Sequence, residues 1–155
     1  MNGQNFTYKT QQAIIRAQSI AQKKGHQQID ALHLLVSLLS QEESIVLTIL
    51  QKMGVDIEDL RERANQAIDK IPIIVRPRVL GQFYLTQDMV KVLDRAKQEA
   101  MRMGDEFISV EHLFLALLDT DTKAQEVLTE ATFLQPKENS STLEVSKLNY
   151  QAVLD

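Results

Sequence analysis

The stretch GHQQIDALHLLVSLL, residues 25–39, returns as GDEFISVEHLFLALL at residues 104–118. The two leading glycines set the offset (104 − 25 = 79), and the repeat runs without a gap over residues 6–39 and 85–118. Many shared positions lie four residues apart, the spacing of one face of an α-helix. A duplicated helical unit is therefore predicted, whose copies bury their apolar faces on each other. The ten identical positions are Thr7/Thr86, Arg16/Arg95, Ala17/Ala96, Ala21/Ala100, Gly25/Gly104, Ile29/Ile108, His33/His112, Leu34/Leu113, Leu38/Leu117 and Leu39/Leu118.

Each copy opens with two predicted helices separated by a glycine. The first helix is expected over about residues 7–24, and the matched alanines of the two copies favour close helix packing. Gly25 and Gly104 are placed to end these helices in the left-handed conformation. Asp30 and Ser109 are predicted to cap second helices over residues 30–40 and 109–119. Both second helices are apolar almost all round, so they should form the buried centre.

The remainder of each copy adds two further helices. In the first copy a third helix is predicted over about residues 44–53, and Asp56 is expected to cap a fourth that reaches about residue 71. Residues 72–84 contain two prolines and a glycine, which is typical of a connector. In the second copy residues 126–133 match the third helix, and residues 135–146 are interpreted as a polar loop insertion.

The opening of the fourth helix is echoed near the end of the chain. Asp56 corresponds to Asn149, an offset of 149 − 56 = 93, so the second repeat has gained 93 − 79 = 14 residues. We therefore expect the last helix to be cut short at Asp155 and the chain to be a fragment. The predicted fold class is all-α, with two pseudo-symmetric four-helix repeats (about residues 5–71 and 85–155) packed into one compact domain.

Composition narrows the functional classes. The chain has 155 residues, 44% of them hydrophobic, no cysteine and a net charge of −4 with scattered basic residues. Nucleic acid and anionic membrane surfaces are disfavoured as partners, because phosphate binding depends on clustered Lys and Arg. The polar start MNGQNFTYKT is unlike a signal peptide, and no apolar run approaches a membrane span. A cytoplasmic protein is expected.

The two copies share a compound motif in which A-x-x-x-A precedes a glycine, and the pair His-Leu then precedes a pair Leu-Leu. This motif resembles that of the Clp N-terminal repeat domain, which stands ahead of the AAA+ modules of Clp and heat-shock chaperones. The resemblance covers about residues 5–133 and resumes at 148–155. Residues 32–34, 71–72 and 104–109 are most similar to the ClpB branch, the disaggregases.

The resemblance implies a mobile recognition domain that binds unfolded or aggregated polypeptide and passes it to an ATP-driven hexameric ring. In related branches of the ClpC/ClpA type, unfoldases of degradative proteases, the same domain docks adaptor proteins, and that role is the alternative here. None of the five glycines begins the G-x-x-x-x-G-K-S/T loop that cradles phosphates. We therefore expect a monomeric, non-enzymatic domain without cofactors, with ATP and magnesium belonging to the AAA+ modules.

By the same resemblance, Thr7, Asp105 and Glu111 are the candidate polypeptide-binding residues. The alternative is that Thr7 only caps a helix and that Glu111 only complements a helix dipole. Apolar residues of some relatives are replaced by Arg95 and Glu99, which predicts a more polar groove.

The three histidines and the acidic pair are the other candidates for a chemical site. His33 and His112 lack further residues at ligand spacing, so packing or capping is predicted rather than metal binding. His26 is expected to be solvated. Asp105 and Glu111 have no accompanying nucleophile or glycine loop that would support acid–base catalysis.

Overall fold

A computed structural model describes residues 5–73 and 83–133, and all structural statements below concern these ranges. They contain seven helices and two strands of two residues each, so the all-α class is confirmed. The elements are α1 (Tyr8–Lys23), β1 (Gln28–Ile29), α2 (Ala31–Leu39), α3 (Ile45–Lys52), α4 (Ile57–Asp69), β2 (Tyr84–Leu85), α5 (Gln87–Arg102), α6 (Val110–Asp119) and α7 (Lys123–Phe133).

Short polar side chains start the helices, because the first backbone N–H groups of a helix lack partners within it. Asp30 accepts a hydrogen bond from the N–H of Leu32, and Asp56 accepts one from the N–H of Asp59. Glycines end α1, α3 and α5 with φ values of 78°, 81° and 74° at Gly25, Gly54 and Gly104, which confirms the left-handed ends predicted at Gly25 and Gly104.

The centre of the domain is formed by α2 and α6, as predicted. Leu34, Leu38, Leu113 and Leu117 are fully buried, and α2 contacts α1, α4, α6 and α7. Matched alanines of α1 and α5, such as Ala17 and Ala96, are also fully buried, so these helices approach the centre closely.

The segments that enter α1 and α5 pair with the opposite repeat. In one junction β2 runs parallel to β1, and the N–H of Thr86 donates to the carbonyl oxygen of Ile29 at 3.1 Å. In the other junction Phe6 pairs in parallel with Ile108, and the N–H of Thr7 donates to the Ile108 carbonyl at 3.1 Å. The two junctions are equivalent at the repeat offset (86 − 7 = 79 and 108 − 29 = 79). The entry segment of each repeat, meaning the residues just before α1 or α5, therefore pairs with the other repeat.

Several boundaries differ from the sequence prediction. Helix α7 begins at Lys123, three residues before the predicted start, because the Thr122 hydroxyl accepts a hydrogen bond from the N–H of Gln125 at 3.1 Å. Strand β2 begins at Tyr84, the last residue assigned to the connector. Residues 74–82 of the predicted connector, the predicted insertion 135–146 and the predicted fourth helix of the second repeat at 148–155 lie outside the described residues.

Truncation of a central leucine should destabilise the domain strongly. Leu38→Ala and Leu117→Ala are each expected to lower the free energy of unfolding by about 2–5 kcal/mol, because both side chains are fully buried and each deletion leaves a cavity. Ile15→Ala, on the exposed face of α1, serves as the control and should cost under about 1 kcal/mol. Urea melts in which the leucine variants match the control would contradict the central position of α2 and α6.

Alanine at Gly104 should cost about 1 kcal/mol from backbone conformation alone, because φ is 74° and an added Cβ meets no atom within 4 Å. Gly25→Ala should cost more, since its Cβ would also meet Ile73 Cγ2 at 3.2 Å. Gly104→Asn should cost less than Gly104→Ala, since asparagine tolerates the left-handed region better. The opposite order in urea melts of these variants would refute this account.

Candidate functional site

A groove with a volume of about 800 Å³ lies where the two repeats meet. Helix α1 contributes residues 7–9 at its start and Arg16 about two turns further along. The other lining residues are 40–45, which form the α2–α3 loop and the start of α3, and 109–111 at the start of α6. The hydrogen bond between Thr7 and Ile108 holds the start of α1 beside the start of α6. The structure therefore brings two of the three predicted site residues, Thr7 and Glu111, to one groove.

Thr7 is the N-cap of α1, which confirms its predicted structural role. Its hydroxyl oxygen accepts from the N–H of Thr10 at 3.2 Å and donates to the Thr10 hydroxyl at 2.8 Å. Its counterpart Thr86 instead donates its hydroxyl to the carboxylate of Asp30 at 2.6 Å. Ser109 is the counterpart of Asp30 at the repeat offset (109 − 30 = 79), so this junction lacks the carboxylate that accepts from the threonine hydroxyl in the other junction.

Asp105 is placed differently from the other two residues, since it does not line the groove. Its carboxylate accepts a hydrogen bond from Nε2 of His112 at 2.9 Å, while Nδ1 of His112 accepts from the N–H of Ser109 at 2.8 Å. The Asp105 side chain is 48% exposed, so it retains a face toward solvent. Its contacts fix the histidine that caps α6, and its role in polypeptide binding stays a prediction.

The expectation that His26 is solvated is wrong, because the residue is only 4% exposed. Nδ1 of His33 accepts from the N–H of Asp30 at 2.8 Å, so the proton of this ring lies on Nε2. That N–H donates to Nδ1 of His26 at 3.0 Å, and Nε2 of His26 donates to the Ile71 carbonyl at 3.2 Å. Burial, reinforced by the neighbouring His26, lowers the pKa of His33 to about 4.

The partner of each capping histidine stands seven residues before it, at His26 in the first repeat and at Asp105 in the second (33 − 26 = 112 − 105 = 7). The seven-residue spacing to His33 is the sequence signal that indicates a buried partner at position 26, and the prediction for His26 did not use it. Among residues 5–73 and 83–133, no group of three or more His, Asp or Glu side chains is arranged to hold a metal ion.

Arg95 and Glu99, which were expected to make the groove more polar, are not among its lining residues. Glu99 is only 4% exposed, and its carboxylate binds the guanidinium groups of Arg95 at 3.1 Å and Arg102 at 2.7 Å. The charges of the groove come instead from other residues, namely Lys9, Arg16, Glu42, Glu43 and Glu111.

Comparison with known protein families matches residues 5–131 to the Clp repeat (R) N-terminal domain. The chain belongs to this family. It is 41% identical over 117 residues to the chaperone protein ClpB of Bacillus cereus, an alignment that covers 75% of this chain and 14% of that protein. This Clp N-terminal domain thus spans about a seventh of the length of that relative, and its sequence is similar to the N-terminal part of ClpB chaperones.

Solved structures agree with this assignment of the fold. The N-terminal domain of Hsp104 from Candida albicans superposes with a TM-score of 0.79 at 19% identity, covering 96% of this chain and 92% of that one. A ClpV N-domain in complex with a VipB peptide superposes with a TM-score of 0.63 at 20% identity, covering 90% and 88%. In the described part of the Clp N-terminal domain, no helix combines the length and apolar character needed to span a bilayer.

The histidine pair predicts a loss of stability in acid. His33 has a pKa of about 4 when folded against 6.5 in its ordinary state, so between these values the unfolded chain binds a proton that the folded domain does not. Stability from this group is complete above about pH 6.5 and is lost as pH falls to about 4, by about 3 kcal/mol. Urea melts at pH 7 and pH 4.5 would measure this loss.

His33→Gln is the matched control, because glutamine at this capping position can accept from the N–H of Asp30 without titrating. The wild type should lose more stability between the two pH values than the variant. Equal losses would show that His33 is not the source of the acid sensitivity.

Proposed function

We propose that this domain is the substrate-recognition module of a ClpB-type disaggregase, which binds unfolded or aggregated polypeptide and delivers it to an AAA+ ring. The observation that carries the proposal is the groove in which Thr7 and Glu111 are held together by the exchanged entry segment. The sequence similarity to ClpB supports the class of chaperone. The ClpV N-domain complex with a VipB peptide supports a peptide as the kind of ligand.

The groove offers complementary features to an extended chain. Tyr8 is 73% exposed at its edge and provides apolar surface, while the carboxylate of Glu111 can accept hydrogen bonds from lysine or arginine side chains. Single-site binding should be weak, because ordering a flexible chain offsets much of the contact energy. Several copies on one ring would raise the effective concentration and recover affinity.

In this proposal the domain itself carries out no chemistry. ATP hydrolysis and its magnesium ion belong to the AAA+ modules, the ring is hexameric, and the isolated domain is a cytoplasmic monomer.

Removal of the Glu111 charge should weaken binding of a labelled unfolded protein. Glu111→Gln keeps the shape of the side chain, and the loss of one exposed ionic contact should reduce affinity about threefold to fivefold. Binding by the wild type should also weaken with added salt. Asp105→Asn is the companion variant, because its amide oxygen still accepts from Nε2 of His112 while the charge is removed.

Glu62→Gln on α4 is the control for net charge, since it removes one negative charge from an exposed residue outside the groove. Fluorescence anisotropy titrations would compare the four proteins. Equal affinities for wild type, Glu111→Gln and Asp105→Asn would show that the predicted residues are wrong. A wild type that binds no unfolded protein would refute the function.

A further inference from the structure

Equivalent arginines of the two repeats, Arg16 and Arg95, have different surroundings. Arg95 of the second repeat is neutralised, since its guanidinium contacts the carboxylate of Glu99 at 3.1 Å and also contacts the carboxylate of Asp119. These two acids come from different helices, α5 and α6. The second repeat therefore shows what this position binds when partners are available, namely side-chain carboxylates.

Arg16 is the equivalent residue of the first repeat, but both acids are missing there. At the offset of 79, Glu99 corresponds to Ile20 and Asp119 corresponds to Ser40. Across residues 5–73 and 83–133, no acidic side chain lies within 4 Å of the Arg16 guanidinium. This includes the three acids that line the groove, Glu42, Glu43 and Glu111.

The position that lacks a carboxylate in the first repeat lies in the groove. Arg16 is exposed, and both Arg16 and Ser40, the residue that stands in place of Asp119, line the groove. A ligand in the groove therefore has access to the side of the guanidinium that Asp119 occupies in the second repeat. A planar guanidinium can pair with a carboxylate through two parallel hydrogen bonds, which favours that group over a neutral amide.

We propose that Arg16 binds the side-chain carboxylate of an internal aspartate or glutamate in an unfolded polypeptide held in the groove. The inference rests on the proposed function and names a chemical feature of its substrate. An internal side chain is favoured over a chain terminus because the internal template, Asp119, is itself a side chain presented by a continuous segment. An unfolded stretch offers such side chains along its whole length.

The positions of the charges define a spacing for the ligand. Arg16 follows Thr7 by nine residues (16 − 7 = 9), which is about 13 Å along α1 at 1.5 Å per residue. Glu111 follows Ile108 by three residues, and the Ile108 carbonyl accepts from the N–H of Thr7, so we place Glu111 at the Thr7 end of the groove. An extended chain rises about 3.3 Å per residue, so the groove fits an acidic residue about four residues from a basic one.

A double-mutant cycle tests this pairing. The probe is a short labelled peptide with blocked ends, in which one lysine and one glutamate stand about four residues apart among apolar residues. Its affinity for the wild type should fall about fivefold when the glutamate is replaced by glutamine. Arg16→Gln should lower the affinity for the original peptide by a similar factor and should make the domain insensitive to that replacement.

Lys52→Gln is the matched control, because it removes one positive charge at the far end of α3 from the groove. This variant should keep the wild-type preference for glutamate. Circular dichroism and urea melts would show that both variants are folded.

The outcomes separate the two proposals. If the wild-type domain binds the glutamate peptide and the glutamine peptide equally well, the role of Arg16 is overturned and the proposed function still stands. A glutamine peptide that regains affinity when its C-terminal carboxylate is unblocked would overturn the choice of an internal side chain. Failure of the wild type to bind any of the peptides or a labelled unfolded protein would overturn both proposals.

Discussion

The exchange of entry segments is the constraint on which the other features depend. Backbone hydrogen bonds from Thr7 to Ile108 and from Thr86 to Ile29 lock each repeat onto its counterpart before either helix α1 or α5 begins. The first of these contacts sets the start of α1 against the start of α6, and the groove is a direct result.

The two capping histidines make the same hydrogen bond to the backbone but have side-chain partners of different chemistry. Both rings accept a backbone N–H through Nδ1 and donate through Nε2, but the acceptor is neutral His26 in one repeat and the carboxylate of Asp105 in the other. A carboxylate tolerates a protonated ring beside it, whereas a second imidazole opposes it. The histidine whose pKa is lowered, His33, therefore belongs to the first repeat, and the second repeat has the carboxylate of Asp105 at the position of His26.

Much of the fold followed from local signals in the sequence. The glycines at 25 and 104, the caps at Asp30 and Asp56 and the apolar run of α2 are short-range patterns, and the structure agrees with each. Pairing of Phe6 with Ile108 was not predictable, since one or two residues of extended chain carry no periodicity and their partners are distant in sequence. The burial of His26 was missed for a different reason, because its partner His33 is only seven residues away and the contact shows only when the two histidines are considered together.

The reciprocal pairing has the form of an isologous interface, in which two units contact each other through the same surface. Phe6 of the first repeat pairs with Ile108 of the second, and Leu85 of the second pairs with Ile29 of the first. The domain is therefore equivalent in geometry to a twofold homodimer whose subunits have been joined into one chain. Because both halves belong to one chain, their sequences can differ, and the arginine at the same position of each is neutralised in one half and accessible in the other.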